Sequence, residues 1–159
     1  MPKNNIEDFR LCAGLIFNQA LAAFPRAVSL DDKAICETLL DREFRQSKPD
    51  AYGQVEYEDP EHRETLDFVV STSRWLVDEG YLRSRSHFVD PGSVTLTQNG
   101  FYILGVEALD NSSEKLGRKL AQHVEAGAWD SVRDVTSNVL LAGIKLGWEG
   151  VKSGTGMNS

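Results

Sequence analysis

Apolar residues recur along residues 6–24 at steps of three and four (Phe9, Ala13, Ile16, Phe17, Ala20, Leu21, Phe24), which predicts a helix with one inward side. Pro25 stops it. Ser29-Leu30-Asp31-Asp32 then offers a serine N-cap and acidic residues for a first turn, predicting a second helix to about Leu40. Its inward face would be Ala34, Ile35, Thr38 and Leu39. Periodicity dissolves between Asp41 and Glu64, where Lys48-Pro49-Asp50, Gly53 and the acidic run Glu56, Glu58, Asp59, Glu61 read as an acidic insertion. Within it Val55 and Tyr57 alternate as a brief strand would. Helical spacing returns with Leu66, Val69, Val70, Ser73, Leu76 and Val77, and this third helix ends at Gly80, where a left-handed C-cap is favoured.

A change of period follows. Tyr81 to Phe88 reads as a strand, Val89-Asp90-Pro91-Gly92 as a tight turn, and Ser93 to Leu96 as the returning strand. Thr97 is placed to cap a fourth helix holding Phe101, Ile103, Leu104 and Leu109, and Asp110-Asn111-Ser112-Ser113 breaks it. Leu116, Leu120, Val124, Val132, Val135, Val139 and Ile144 then form a discontinuous stripe that Gly127 divides into two helices. The Gly- and Ser-rich residues 151–159 predict a flexible tail. The expected fold class is mainly α with a small antiparallel β-hairpin.

Two phrases carry a resemblance. Ser73-Arg74-Trp75-Leu76-Val77-Asp78-Glu79-Gly80-Tyr81-Leu82 is similar to the end of a winged-helix third helix running into the first wing strand. Val94-Thr95-Leu96-Thr97-Gln98-Asn99-Gly100 resembles the junction that closes the wing in many bacterial regulators. The chain therefore resembles the winged-helix superfamily, a helix-turn-helix with a β-wing, in the manner of a small bacterial or prophage protein. This resemblance implies a winged-helix domain over 1–109 with the acidic insertion at about 41–64. A C-terminal helical extension at 110–150 and the tail follow it. It also implies that the third helix would enter a major groove, presenting His62, Arg63, Asp67, Ser71 and Arg74. In the expected wing strand Arg83, Arg85 and His87 would point to one side, where they could hold a phosphate backbone or protect an edge strand from pairing.

Charge qualifies that implication. The formal net charge is −7, and residues 1–110 hold 11 basic against 19 acidic side chains. Phosphate binding is driven by counterions released around Lys and Arg, so so acidic a domain would need a locally basic face to hold DNA. At 159 residues and 41% hydrophobic the chain suits one domain with an appendage. No signal peptide or membrane span is expected, and a cytoplasmic location is the default reading. Cys12 and Cys36 lack metal-ligand spacing and read as reduced core thiols.

Catalytic signals are absent from the sequence. His62, His87 and His123 fall in different predicted elements, and no nucleophile elbow, phosphate loop or zinc-protease pattern occurs. No enzyme activity, cofactor or metal is expected. Phe68 and Trp75, seven residues apart, read as core or interface aromatics. Trp129, Val132, Val139, Ile144 and Trp148 exceed what one terminal helix needs and suggest a self-association surface, or docking on the first helix. Two functions are compatible with this pattern. One is a winged-helix regulator or adaptor that self-associates through its C-terminal helices and contacts DNA weakly through Arg63, Arg74, Arg83 and Arg85. The other is a protein-binding module that offers its acidic segment, Glu56 to Asp67, to a basic partner.

Overall fold

The computed structural model describes residues 4–45, 48–56, 60–106 and 114–157, the side chains of 146 and 148–157 excepted. Its elements in chain order are α1 (Asn5–Ala23), β1 (Val28–Ser29), α2 (Asp32–Leu40), α3 (Pro60–Asp78), β2 (Leu82–Ser84), β3 (Ser93–Leu96), α4 (Gln98–Leu104), α5 (Leu116–Ala126) and α6 (Trp129–Met157). The protein is mainly helical with one small antiparallel sheet of order β1-β3-β2. The expected hairpin is thus joined by a third strand, β1, which pairs Val28 with Val94 and Ser29 with Ser93.

Local chemistry sets the boundaries. Asn4 caps α1 by accepting from the Ile6 amide at 3.2 Å. In α2 the cap is Asp31, whose carboxylate accepts from the Ala34 amide at 3.1 Å, because Ser29 is held in β1 instead. The inward face of α2 is correspondingly shifted, with Ile35 and Cys36 buried and Ala34 exposed. Gly80, at φ +85°, reverses the chain after α3. Thr97 caps α4 by accepting from the Gly100 amide at 3.0 Å, while its hydroxyl donates to the Gly80 carbonyl at 2.6 Å. That threonine ties the start of α4 to the base of the hairpin.

The helix α1 is central. Every residue from Leu11 to Phe17 is buried, where the periodicity predicted one inward side, because other helices cover it from several directions. On one side α6 packs so closely that a Cβ on Gly14 would run into Thr136 Oγ1 and stand 2.8 Å from Val132 Cγ1. On another, α5 approaches through Gly117, whose missing side chain leaves space for Leu21 and Leu104. Toward α3 and the sheet, Trp75 sits edge-on to Phe9 at 5.2 Å and stacks on Tyr81 at 6.1 Å, and Tyr81 meets Phe17 at 5.6 Å. Full burial of a side chain such as Phe17 stabilises the fold by roughly 1.5–3 kcal/mol.

Of the two readings of the C-terminal stripe, this packing agrees with docking on the first helix and not with self-association through Val132 and Val139, and the expected start of the tail is corrected. Val132 and Val139 are wholly buried inside the chain, together with Leu116 and Leu120, so they form one core with α1 and present no surface. The break at Gly127 is present, with φ +66°, but α6 then continues through Gly143 and Gly147 to Met157, past the position where a tail was expected to begin. Gly143 is a contact point: a Cβ there would strike the Tyr81 ring and hydroxyl.

Candidate functional site

The hairpin differs from its sequence reading in a way that decides its chemistry. β2 ends at Ser84, so Arg85 and His87 do not alternate with Arg83 along a strand. Residues 85–92 form a loop in which the Ser84, Ser86 and Asp90 side chains bond part of the backbone. The Ser84 hydroxyl donates to the Pro91 carbonyl, and the Ser86 amide donates to Ser84 Oγ at 3.0 Å. Ser86 Oγ donates to the Asp90 carbonyl at 3.2 Å and accepts from the Phe88 amide at 3.2 Å, while Asp90 Oδ1 accepts from the Gly92 amide at 2.9 Å.

Arg74 completes this framework. Its Nη1 donates to the carbonyls of Ser86 at 3.2 Å and Phe88 at 2.8 Å, and its Nε donates to Asp78 at 3.2 Å. The guanidinium expected to meet nucleic acid is therefore engaged in holding the loop against α3. At the tip of the held loop Phe88 is 82% exposed and Val89 66% exposed.

The solvent side of α3 carries Arg63, Asp67, Ser71, Arg74 and Asp78, with Arg74 and Asp78 neutralising one another. His62 does not belong to it. That residue is buried under the insertion, stacked on Phe44 at 5.3 Å, with Nδ1 lying 3.3 Å from the Arg45 amide. The insertion's acids do not make a continuous free surface either. Glu61 lies in the first turn of α3 and pairs with Arg42 at 2.6 Å; Glu56 is exposed; Glu58 and Asp59 lie outside the described residues. Val55 is not in a strand, and Tyr57 also lies outside the described residues.

Negative charge gathers instead where α2, α3 and the hairpin loop adjoin. A cleft there is lined by Ser29, Asp32, Val70, Ser73, Asp90 and Gly92. Partial burial, with Asp90 and then Asp31 as neighbouring charges, pushes the Asp32 carboxyl up to about 6. Because the folded-state value is raised, folding favours the protonated acid. The resulting stability is complete below the ordinary carboxylate range and is lost as pH rises through about 6. Asp32→Asn therefore raises the melting temperature at pH 7.5 and leaves it nearly unchanged at pH 3.5. The gain at neutral pH is about 1 kcal/mol after discounting for solvent screening and the lost charge at the helix start. Thermal melts of both chains at the two pH values measure the difference.

No family model, curated protein or solved structure matches the chain. The surface must be read from its own chemistry.

Of the remaining expected contacts, Arg63, Arg83, Arg85 and His87 are exposed. Trp129 is half-buried on the core, Ile144 is 67% exposed, and the Trp148 side chain lies outside the described residues. Phe68 and Trp75 lie along the α1 side of α3, Phe68 half-buried and Trp75 40% exposed. Both cysteines are fully buried, and burial pushes the Cys36 thiol up to about 12 and Cys12 up as well, so neither is a ready nucleophile. Among the described residues no three of His, Cys, Asp and Glu gather as a metal-holding group, and no helix is long and apolar enough to cross a membrane. Sequence reasoning missed Phe88 and Val89 as site residues; the available signal was two large apolar side chains placed in a turn, before Asp90-Pro91-Gly92.

Proposed function

We propose that the chain is a winged-helix adaptor that binds a protein partner through its hairpin tip and the adjoining carboxylates, and does not read DNA through α3. Support for the winged-helix part is the order of elements, α1-β1-α2-α3-β2-β3, with the sheet order β1-β3-β2 and an α3 that leads directly into the hairpin. The two phrases around Gly80 and Thr97 bear on its junctions of α3 with the hairpin and of the hairpin with α4.

One observation carries the choice of partner: Phe88 and Val89 are held in water by a loop whose hydrogen bonds leave it little freedom. A held backbone lowers the ordering cost of presenting these two apolar side chains, which suits anchors for a pocket in another protein. Beside them Asp32 and Asp90 favour a partner with basic groups around that pocket. The same carboxylates repel a phosphate backbone running along α3, and Arg74 is not available to compensate.

Affinity capture from the native host tests this, with the wild-type chain compared with Phe88→Ser/Val89→Ser. Both residues are exposed, so the double variant should keep its melting temperature. The expected result is a protein retained by the wild type and lost by the variant. Identical retention by the two chains, or none by either, contradicts the proposed anchor.

A further inference from the structure

The outer face of the sheet holds a second feature, on the opposite side of the hairpin from its core-facing residues. Leu82, Val94 and Leu96 turn into the core, so Arg83 and its cross-strand neighbour Thr95 turn outward, as does Ser93. Ser93 faces Ser29 across the β1-β3 pair, with their hydroxyls 3.1 Å apart, and Thr95 Oγ1 donates to the Pro25 carbonyl at 3.4 Å. Together with the start of the hairpin loop these residues enclose a groove of about 640 Å³. Its walls include Pro25, Ala27, Arg83, Arg85, Ser93 and Thr95.

The charge inside this groove runs against the charge of the chain. Net charge is −7, yet no carboxylate stands among the described lining residues. Arg10, Arg42, Arg45, Arg74 and Arg133 are each paired with an acid; Arg26, Arg63, Arg83, Arg85 and Arg118 have no carboxylate partner among the described residues, and of these Arg83 and Arg85 line the groove together. The groove's hydroxyls already donate to the carbonyls of Pro91, Asp90 and Pro25 or bond one another, so its available donors are the two guanidinium forks, and arginine is the side chain whose planar fork suits phosphate. The volume lies within the usual range for small-molecule sites.

We propose that this groove binds a small oxyanion of the phosphate-monoester class. Size separates that ligand from a nucleic acid. A small dianion in the groove meets Arg83 and Arg85, with Asp90, bonded to the Gly92 amide, as the acid that adjoins the lining; charges more than about 8 Å away are largely screened from it at physiological ionic strength. A duplex would span more of the domain and also meet Asp32 and Asp67, whose repulsion a polyanion accumulates along its length. Pro25, Ala27 and Pro91 supply apolar walls for the organic part of a monoester. The groove shares residues of the 85–92 loop with the protein-binding tip, but Phe88 and Val89 do not line it, so loss of partner binding in Phe88→Ser/Val89→Ser and loss of anion binding in Arg83→Gln/Arg85→Gln are separate outcomes.

Titration of the isotopically labelled chain with inorganic phosphate and then phenyl phosphate, followed by NMR at physiological ionic strength, tests the proposal. Saturable shifts are expected at the Arg83 and Arg85 side-chain N–H signals and at the Gly92 and Ser93 amides, with phenyl phosphate the tighter of the two. Arg83→Gln/Arg85→Gln should weaken binding at least about tenfold with an unchanged melting temperature. Arg83→Lys/Arg85→Lys, which keeps the charge and removes the fork, should weaken it by less. Linear shifts without saturation, or equal shifts at Arg63 and Arg118, overturn the site. A mixed-sequence DNA duplex that saturates the same signals at lower concentration than phenyl phosphate overturns it too, assigning the groove to a nucleic-acid backbone.

Discussion

Gly14→Leu destabilises the chain by about 3 kcal/mol or more, in a transition that involves the whole protein. Glycine inside a helix ordinarily costs roughly 0.5–1 kcal/mol relative to alanine, so at an open position any side chain would help. Gly14 is not open. A Cβ there meets Thr136 Oγ1 and lies 2.8 Å from Val132 Cγ1, and both of those residues are wholly buried. Neither can swing aside, because each is branched at Cβ and the Thr136 hydroxyl already donates to the Val132 carbonyl at 2.7 Å. Leucine forces α1 and α6 apart, and even Gly14→Ala should lower stability where an exposed site would gain it. Urea unfolding read by far-ultraviolet circular dichroism measures both. An unchanged midpoint for Gly14→Leu would mean that α6 does not pack on α1.

Gly100→Ala is the second large effect, of about 2–4 kcal/mol. The added methyl would run into the Tyr81 carbonyl oxygen, which is backbone and already accepts from the Thr97 amide at 3.1 Å. Relief requires moving either the start of α4 or the chain just before β2, and the pairing of Leu82 with Leu96 depends on both. The hairpin base should therefore open before the rest of the fold. Amide exchange at Leu82 and Leu96 is expected to accelerate relative to that at Leu15 and Ile16 in α1. Wild-type exchange at the two strand positions would contradict the crowding.

Much of this architecture is legible in the sequence where one signal dominates. The steps of α1 and α3, the reversal at Gly80 and the cap at Thr97 are local, and the structure contains each of them. Other features depend on partners distant in the chain. β1 is two residues long and exists only because β3 offers it a hydrogen-bonding edge, so no alternation could announce it. The burial of Val132 and Val139 depends on the close approach at Gly14, far away in sequence, so the stripe alone left self-association and docking on the first helix both open. Gly143 looks like a helix interruption until Tyr81 is seen occupying its missing side chain's space.

The candidate site was less legible for a related reason. Arg74, Arg83 and Arg85 carry the same charge, and nothing in their spacing says that the first is held by loop carbonyls while the other two line a groove with no acidic partner among the described residues. His62 looked exposed on the helix face until Phe44, from the aperiodic insertion, covered it. Ser84, Ser86 and Asp90 end the strand early by bonding loop backbone, a competition that residue type suggests and only geometry decides.

Fluorescence anisotropy of a mixed-sequence DNA duplex, titrated with the wild-type chain at low ionic strength, bears most directly on whether α3 and the hairpin tip face protein or nucleic acid. Carboxylates at Asp32, Asp67 and Asp90, with Arg74 engaged, predict no saturable binding. Saturable binding that weakens steeply with salt and is lost in Arg63→Ala would contradict it.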